Sequence, residues 1–270
     1  MTGIYSCYSQ IKTVPKKTNN KNKMEYFNID IYKDWEIDSE WSSSENKKFL
    51  KKGEERLRIR FYEDEIQLNK TSVINPYKKI FVYYKKNKLL RSYGMQFYQF
   101  SIGIRKIYDE TGILVKEIDN DKPYIFSLPQ LIEKIKKEHD VDLEDLTQGC
   151  SVHRRVDKNL KKPIYEVYLL SKEDPYSKKK YFLMDGVTGE LIHTTSYPRR
   201  SDEIKTPFNQ YLISLEKKEQ EDNAFYKNYK GKDYTKKEWE AFEEEWYRDF
   251  EEKKEGRNFF WDNIFKKLNE

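Results

Sequence analysis

The sequence predicts an α+β fold: an antiparallel β-meander, then a helix-on-sheet module, then a helical C-terminal extension. Three observations predict it. A short unit, Tyr84-Lys85-Lys86-Asn87-Lys88-Leu89-Leu90, recurs in degenerate form as Tyr108-Asp109-Glu110-Thr111-Gly112-Ile113-Leu114. Apolar and polar residues alternate in short runs as far as Ile118, the period of half-buried strands. The period then changes to that of a helix after Ser127 and again after Thr235.

At 270 residues the chain has room for about two domains. Charged residues make up 37% and the mean hydropathy is −1.02, which pulls towards disorder. The 22 Tyr and 15 Phe oppose this by supplying large buriable surface, so a folded, aromatic core is expected. The net charge of +5 is a small difference between 52 basic and 47 acidic residues spread along the chain. It reads as a mixed solvated surface rather than a nucleic-acid footprint. Two cysteines and three histidines supply neither a disulfide framework nor a zinc site of recognisable spacing. No run approaches the ~20 apolar residues of a membrane span.

The first segment, residues 1–23, reads as a flexible tether, because Lys, Asn, Thr and Pro dominate from Lys12 to Lys23 and offer little to bury. A β-rich domain is expected over 24–120. Phe27, Ile29 and Ile31 alternate with Asn28, Asp30 and Tyr32 as in a strand, and Ser42-Ser43-Ser44 ends that run. Leu57, Ile59 and Phe61 alternate with Arg56, Arg58 and Arg60. Further strands are expected at Ile80–Tyr84, Leu89–Tyr93, Gln96–Phe100, Ile104–Tyr108 and Ile113–Ile118. A fainter copy of the repeated unit is read at Phe61-Tyr62-Glu63-Asp64-Glu65-Ile66. Two clear copies fall short of the three or more of a self-standing repeat array.

An aromatic pair, a turn with Asn or Gly and then Leu-Leu, followed by Ile102-Gly103-Ile104-Arg105-Lys106-Ile107-Tyr108, resembles the MORN-like repeats of YwqK-type antitoxin proteins. The resemblance covers about Leu57 to Asp119 and implies β-hairpin units whose Gly permits the tight turn. Lys88 stands where the second copy has Gly112, a departure that bears on the first turn.

An α+β module is expected over 121–200. Ser127 with Gln130 forms a capping box, and Leu128, Leu131, Ile132 and Ile135 give one apolar helical face running to about Lys137. Strands are expected at Ser151–Val156, Ile164–Leu170, Tyr181–Met184 and Glu190–Thr194, the last two joined through Asp185-Gly186-Val187-Thr188-Gly189, whose glycines supply positive φ. This helix and its final hairpin resemble a PepSY-like domain over about Tyr124 to Thr195. The resemblance implies an extracytoplasmic binding or inhibitory module, with no catalytic residue to carry over.

The helical extension, 201–270, holds a second capping box, Thr235 with Glu238, and a Tyr234–Trp239 staple. Trp239, Phe242, Trp246 and Phe250 form one stripe; Gly256 is expected to end the helix, and Phe260 and Trp261 fall in a last short one. Trp239, Trp246, Phe250, Phe260 and Trp261 are the candidate protein-binding residues, since aromatic anchors dominate interfaces. The alternative is burial of the same stripe against neighbouring elements.

No catalytic residue is expected. Cys150 and His153 are three apart on a strand and project to opposite faces. Cys150 reads as a small hydrophobe and His193 as structural. No phosphate loop, nucleophile elbow or His-Glu-x-x-His is present. His139, Asp140, Asp142, Glu144 and Asp145 lack the spacing of a calcium loop, so neither a metal nor a cofactor is expected. His153-Arg154-Arg155 and Arg199-Arg200 fit either a single-stranded nucleic-acid surface or ordinary cross-strand ion pairs, and the ion pairs are the preferred reading. Ser6-Cys7 resembles the end of a bacterial lipoprotein signal without its apolar segment. That reading makes Cys7 a lipidation candidate and places the protein in the periplasm or outer membrane; otherwise it is a cytoplasmic protein with a frayed terminus. The expected partner is another protein, a toxin or an envelope-complex component.

Overall fold

The computed structural model describes residues 25–171, 174–176, 178–198 and 206–267, with side chains described as far as residue 254. Among these the fold is α+β, with antiparallel sheets and three α-helices. They fall into two units. The first carries the chain through Val167 together with Asp185–Glu190, and the second holds Tyr168–Met184 and the chain from Leu191 onward.

The first unit is built on an eight-stranded meander in simple sequence order: β1 (Glu36–Ile37), β2 (Lys47–Lys52), β3 (Glu55–Phe61), β4 (Glu65–Ser72), β5 (Tyr77–Tyr84), β6 (Leu90–Phe97), β7 (Phe100–Tyr108) and β8 (Leu114–Asp119). Period-two alternation divides it into two faces. One buries Leu57, Ile59, Ile66, Leu68, Tyr83 and Leu90, with Phe27, Tyr32 and Trp35 of the preceding segment packed on them. The other carries Arg56, Arg58 and Arg60.

The predicted strand over Phe27–Ile31 is corrected. Residues 29–32 form a 3-10 turn, because the Asn28 side chain accepts from the Asp30 N–H and turns the chain. Only residues 25–27 run beside the meander, with the Phe27 N–H donating to Lys88 and the Leu90 N–H to Glu25. The strand expected at Gln96–Phe100 is corrected too, since Tyr98-Gln99 is the turn between β6 and β7. Tyr98 adopts φ +51, costly for an aromatic residue. Its hydroxyl donates to the Leu143 carbonyl at 2.9 Å, and its N–H to Pro76 at 2.9 Å.

The repeated unit of the sequence is, in both copies, a strand end with its turn. The turns after β3, β5 and β7 are bonded to one another. Tyr84 Oη donates to the Tyr108 carbonyl at 3.0 Å and Asn87 Nδ2 to Glu110 at 2.7 Å. The Lys85 N–H donates to the Asp64 carbonyl at 2.9 Å, which brings the faint first copy into the same row. Lys88 takes φ +61 where Gly112 takes φ +84. An L-residue there costs about 1–2 kcal/mol, partly offset by the chain entropy a glycine adds to the unfolded state. Lys88→Gly is therefore expected to stabilise the protein by about 0.5–1 kcal/mol, read as a higher urea midpoint at unchanged slope.

The chain then forms α1 (Leu128–His139), β9 (Ser151–Asp157), β10 (Lys162–Leu170), β11 (Lys178–Asp185) and β12 (Leu191–Pro198), the last four in sheet order β12-β11-β10-β9. The α1 capping box is present, with Gln130 Oε1 accepting from the Ser127 N–H at 2.8 Å, and Leu128, Leu131 and Ile135 are buried. The glycines of the β11–β12 connection differ from expectation. Gly189 has φ +74, whereas Gly186 is required by close approach: a Cβ there would lie 2.9 Å from the Pro163 carbonyl oxygen that its own N–H contacts. At Gly189 a Cβ would lie 2.5 Å from the Phe126 ring. Gly189→Ala should cost about 2–4 kcal/mol, strain plus overpacking. Gly53→Ala, with φ +56 and open space around it, should lose only the strain of about 1–2 kcal/mol in the same denaturation assay.

The second unit adds α2 (Pro207–Asn223), a hairpin of β13 (Phe225–Tyr229) and β14 (Lys232–Thr235), and α3 (Lys236–Lys267). The hairpin was not predicted; Lys230 and Gly231, at φ +53 and +78, make its turn. The predicted break at Gly256 is corrected, as α3 runs through it. One glycine costs about 1 kcal/mol in a helix interior, too little to end a helix 32 residues long. His193 of β12 stacks on Tyr211 of α2 at 4.8 Å.

Candidate functional site

The second face of the meander is where this fold places chemistry on an open surface. Strand pairing sets its residues in lateral rows. Arg56 lies beside Thr71, Lys78, Gln96 and Ser101; Arg58 beside Asn69, Ile80 and Gly94; Arg60 beside Gln67, Val82, Ser92 and Ile107. Neighbours within a row are about 4.8 Å apart, and successive rows about 6.7 Å.

Two grooves lie on this face. One, of about 450 Å³, runs between the wall formed by Trp41 and Phe49 and the Arg56, Arg58, Asn69 and Lys78 side chains. Trp41 stacks on Phe49 with centroids 5.6 Å apart and stays 59% exposed. Five cationic side chains line the groove, Lys47, Arg56, Arg58, Arg60 and Lys78, against two carboxylates, Asp38 and Glu40. Asp38 is buried and already paired with Arg56 at 3.3 Å. Among the described residues no ion pair joins Arg58, Arg60 or Lys78 to a carboxylate. Arg58 has its pKa lowered by burial and by the neighbouring Arg60 charge, and Lys78 by burial and by Arg58. Asn69, 5% exposed, lies between Arg58 and Ile80; assigned with its oxygen towards Arg58, its amide accepts from that guanidinium at 2.5 Å. These are cations held partly out of water with neutral partners, an arrangement that favours an anion.

The other groove, of about 480 Å³, is lined by Gln67, Val82, Ser92, Met95 and Gln96. The Arg105 side chain lies over Gly94, where an added Cβ would make only an ordinary 3.5 Å contact with Arg105 Cγ. Arg91 closes one end and is paired with Glu65 at 3.0 Å.

The aromatic stripe of α3 is divided. Trp239 is buried at 7% exposure among Tyr229, Tyr234 and Phe242, with Lys227 Nζ 4.0 Å over its ring. Trp246 and Phe250 stack on each other at 5.7 Å and are half exposed, beside an exposed Tyr247. Phe260 and Trp261 belong to the α3 backbone, but their side chains lie outside the described residues, as does Cys7.

The remaining candidates are engaged in the fold. Arg154 is buried, pairs with Asp121 at 2.6 Å and donates to the Asn120 carbonyl at 3.1 Å. Arg155 pairs with Glu166 and with Asp157. The Arg155–Glu166 pair, between β9 and β10, is of the cross-strand kind preferred above, whereas Asp121 follows β8 and Asp157 shares β9 with Arg155; Arg199 and Arg200 lie outside the described residues. Cys150 is buried 3.2 Å from Tyr98 Oη, and burial raises its pKa, away from the reactive thiolate. In the acidic loop Asp142 is paired with Lys136 at 2.8 Å, Asp145 accepts from Thr147, and Glu144 accepts from Tyr77 Oη at 2.6 Å. No group of three or more His, Cys, Asp or Glu is arranged to hold a metal among the described residues. Nor is any helix there long and apolar enough to cross a membrane.

Sequence reasoning missed the basic face. Its signal was visible as three arginines at alternate positions of one strand, which served only to place the strand. Compared with known proteins, the chain matches no family model, no curated protein sequence and no solved structure.

Proposed function

We propose that this is a non-catalytic protein-binding protein of antitoxin or immunity type, which occludes its partner with the open face of the meander; the exposed aromatics of α3 are a separate contact surface. The observation that carries the reading is the groove of Arg58, Arg60 and Lys78, whose charges have no carboxylate partner among the described residues. Polar groups held on rigid strands are preorganised for a partner, so little entropy is lost on docking. Interspersed charge sets orientation and on-rate, and Trp246 with Phe250 offers apolar burial. The resemblance to MORN-like antitoxin repeats supports the same reading, since bonded hairpin turns give a rigid scaffold.

The test is isolation of the native protein from its own cells with whatever is bound, followed by mass spectrometry. A single stoichiometric toxin-like protein is the expected result. Recovery of secretion or outer-membrane components would replace it with the second reading, an envelope-associated accessory protein anchored through Cys7, which the Ser6-Cys7 sequence favours.

A further inference from the structure

We propose that the groove beside Trp41 is a docking site for an extended acidic segment of a partner polypeptide, with carboxylates at alternate positions. The inference rests on the protein-binding reading and adds the chemistry of what is bound. Its basis is spacing. Arg58 and Arg60 project from the same face of β3, two residues apart, and so stand about 6.7 Å from each other. An extended segment repeats its side chains on one face at the same interval, so carboxylates at positions i and i+2 meet both guanidiniums at once. Two adjacent carboxylates point to opposite sides and cannot. Lys78, two strands away beside Thr71, supplies a third cation across the groove.

Three further observations fit this occupant. The cations outnumber the carboxylates along the groove, and Asp38 is already neutralised by Arg56, so the complementary charge must come from outside. Burial and the Arg60 charge disfavour the protonated form of Arg58, and burial and the Arg58 charge disfavour that of Lys78, a penalty that a bound carboxylate removes. Trp41, exposed and backed by Phe49, gives an aromatic wall that flanks the segment. Guanidinium forks bind carboxylates in a bidentate manner, which favours a fixed register over diffuse attraction.

The test uses the full chain and a capped Thr-rich peptide carrying two Glu at alternate positions, with a control of the same composition in which the two Glu are adjacent. Binding is read by calorimetry at low salt. The alternating peptide is expected to bind about tenfold more tightly than the control, a margin of ~1.4 kcal/mol. Arg58→Gln with Lys78→Gln should abolish that preference while circular dichroism stays unchanged. Equal affinity for the two peptides, or no binding of either, would overturn the proposal. So would inorganic phosphate competing as strongly as the peptide, which would mark a site for free anions. The protein-binding reading is tested separately, by the cellular partner: its capture by the doubly substituted protein would sink the groove proposal and leave that reading standing.

Discussion

Asp121→Ala is expected to destabilise the first unit by about 3–5 kcal/mol, because it leaves a buried guanidinium without its counter-charge. Arg154 projects from β9 with its side chain 3% exposed, while Asp121 is half exposed. The pair is therefore asymmetric: the carboxylate alone can be resolvated, the guanidinium alone cannot. Asp121 also accepts from the Gly103 N–H at 2.8 Å, a second bond lost with it. Arg154 is further held by the ring faces of Tyr124 at 4.3 Å and Phe100 at 4.9 Å, and its Nη1 has no hydrogen-bond partner among the described residues. Carbonyls and rings do not replace a full negative charge in so dry a setting.

The sign of a second substitution checks the cause. Adding Arg154→Met to Asp121→Ala removes the stranded charge and keeps an unbranched stem against the two rings. The double variant should be more stable than Asp121→Ala alone in equilibrium urea denaturation. If the double variant is weaker by the sum of the two single losses, Arg154 acts through packing rather than charge.

Trp239→Ala should cost about 3–5 kcal/mol of local stability, the range for a large core aromatic. Trp239 is covered by Tyr229 and Tyr234 of the β13–β14 hairpin and by Phe242 one turn on. Losing it removes what holds the hairpin on α3, so the amides of Phe225–Thr235 should exchange with solvent much faster. Trp246→Ala, one face along the same helix and half exposed, should stay within about 0.5 kcal/mol of the parent. The contrast separates two roles that the sequence places in one stripe. Similar exchange in both variants would mean that the hairpin does not depend on Trp239.

Much of the architecture was legible. Strong alternation located β3, and the capping boxes at Ser127 and Thr235 located α1 and α3, because each depends on groups close in sequence. Elements set by distant partners were not. Lys47–Lys52 forms β2 although it is mostly lysine, because an edge-side strand needs only a backbone partner, which Glu55–Phe61 supplies. Tyr98 turns the chain with no glycine or asparagine, held by a hydroxyl bond to Leu143, 45 residues on. The candidate site escaped for a related reason. Arg58 and Lys78 are ordinary surface cations in the sequence and come to line one groove only when β3, β4 and β5 align. The aromatic stripe was found, but its division into a buried and an exposed half depends on the unpredicted hairpin.

The most direct test of the central claim uses three baits in parallel: the parent protein, Arg58→Gln with Lys78→Gln, and Trp246→Ala with Phe250→Ala. Each is returned to the native cells, recovered with its partners and analysed by mass spectrometry. The account predicts one stoichiometric acidic protein on the parent, lost from the sheet-face bait and weakened on the helix bait. The same set of proteins on all three would contradict it.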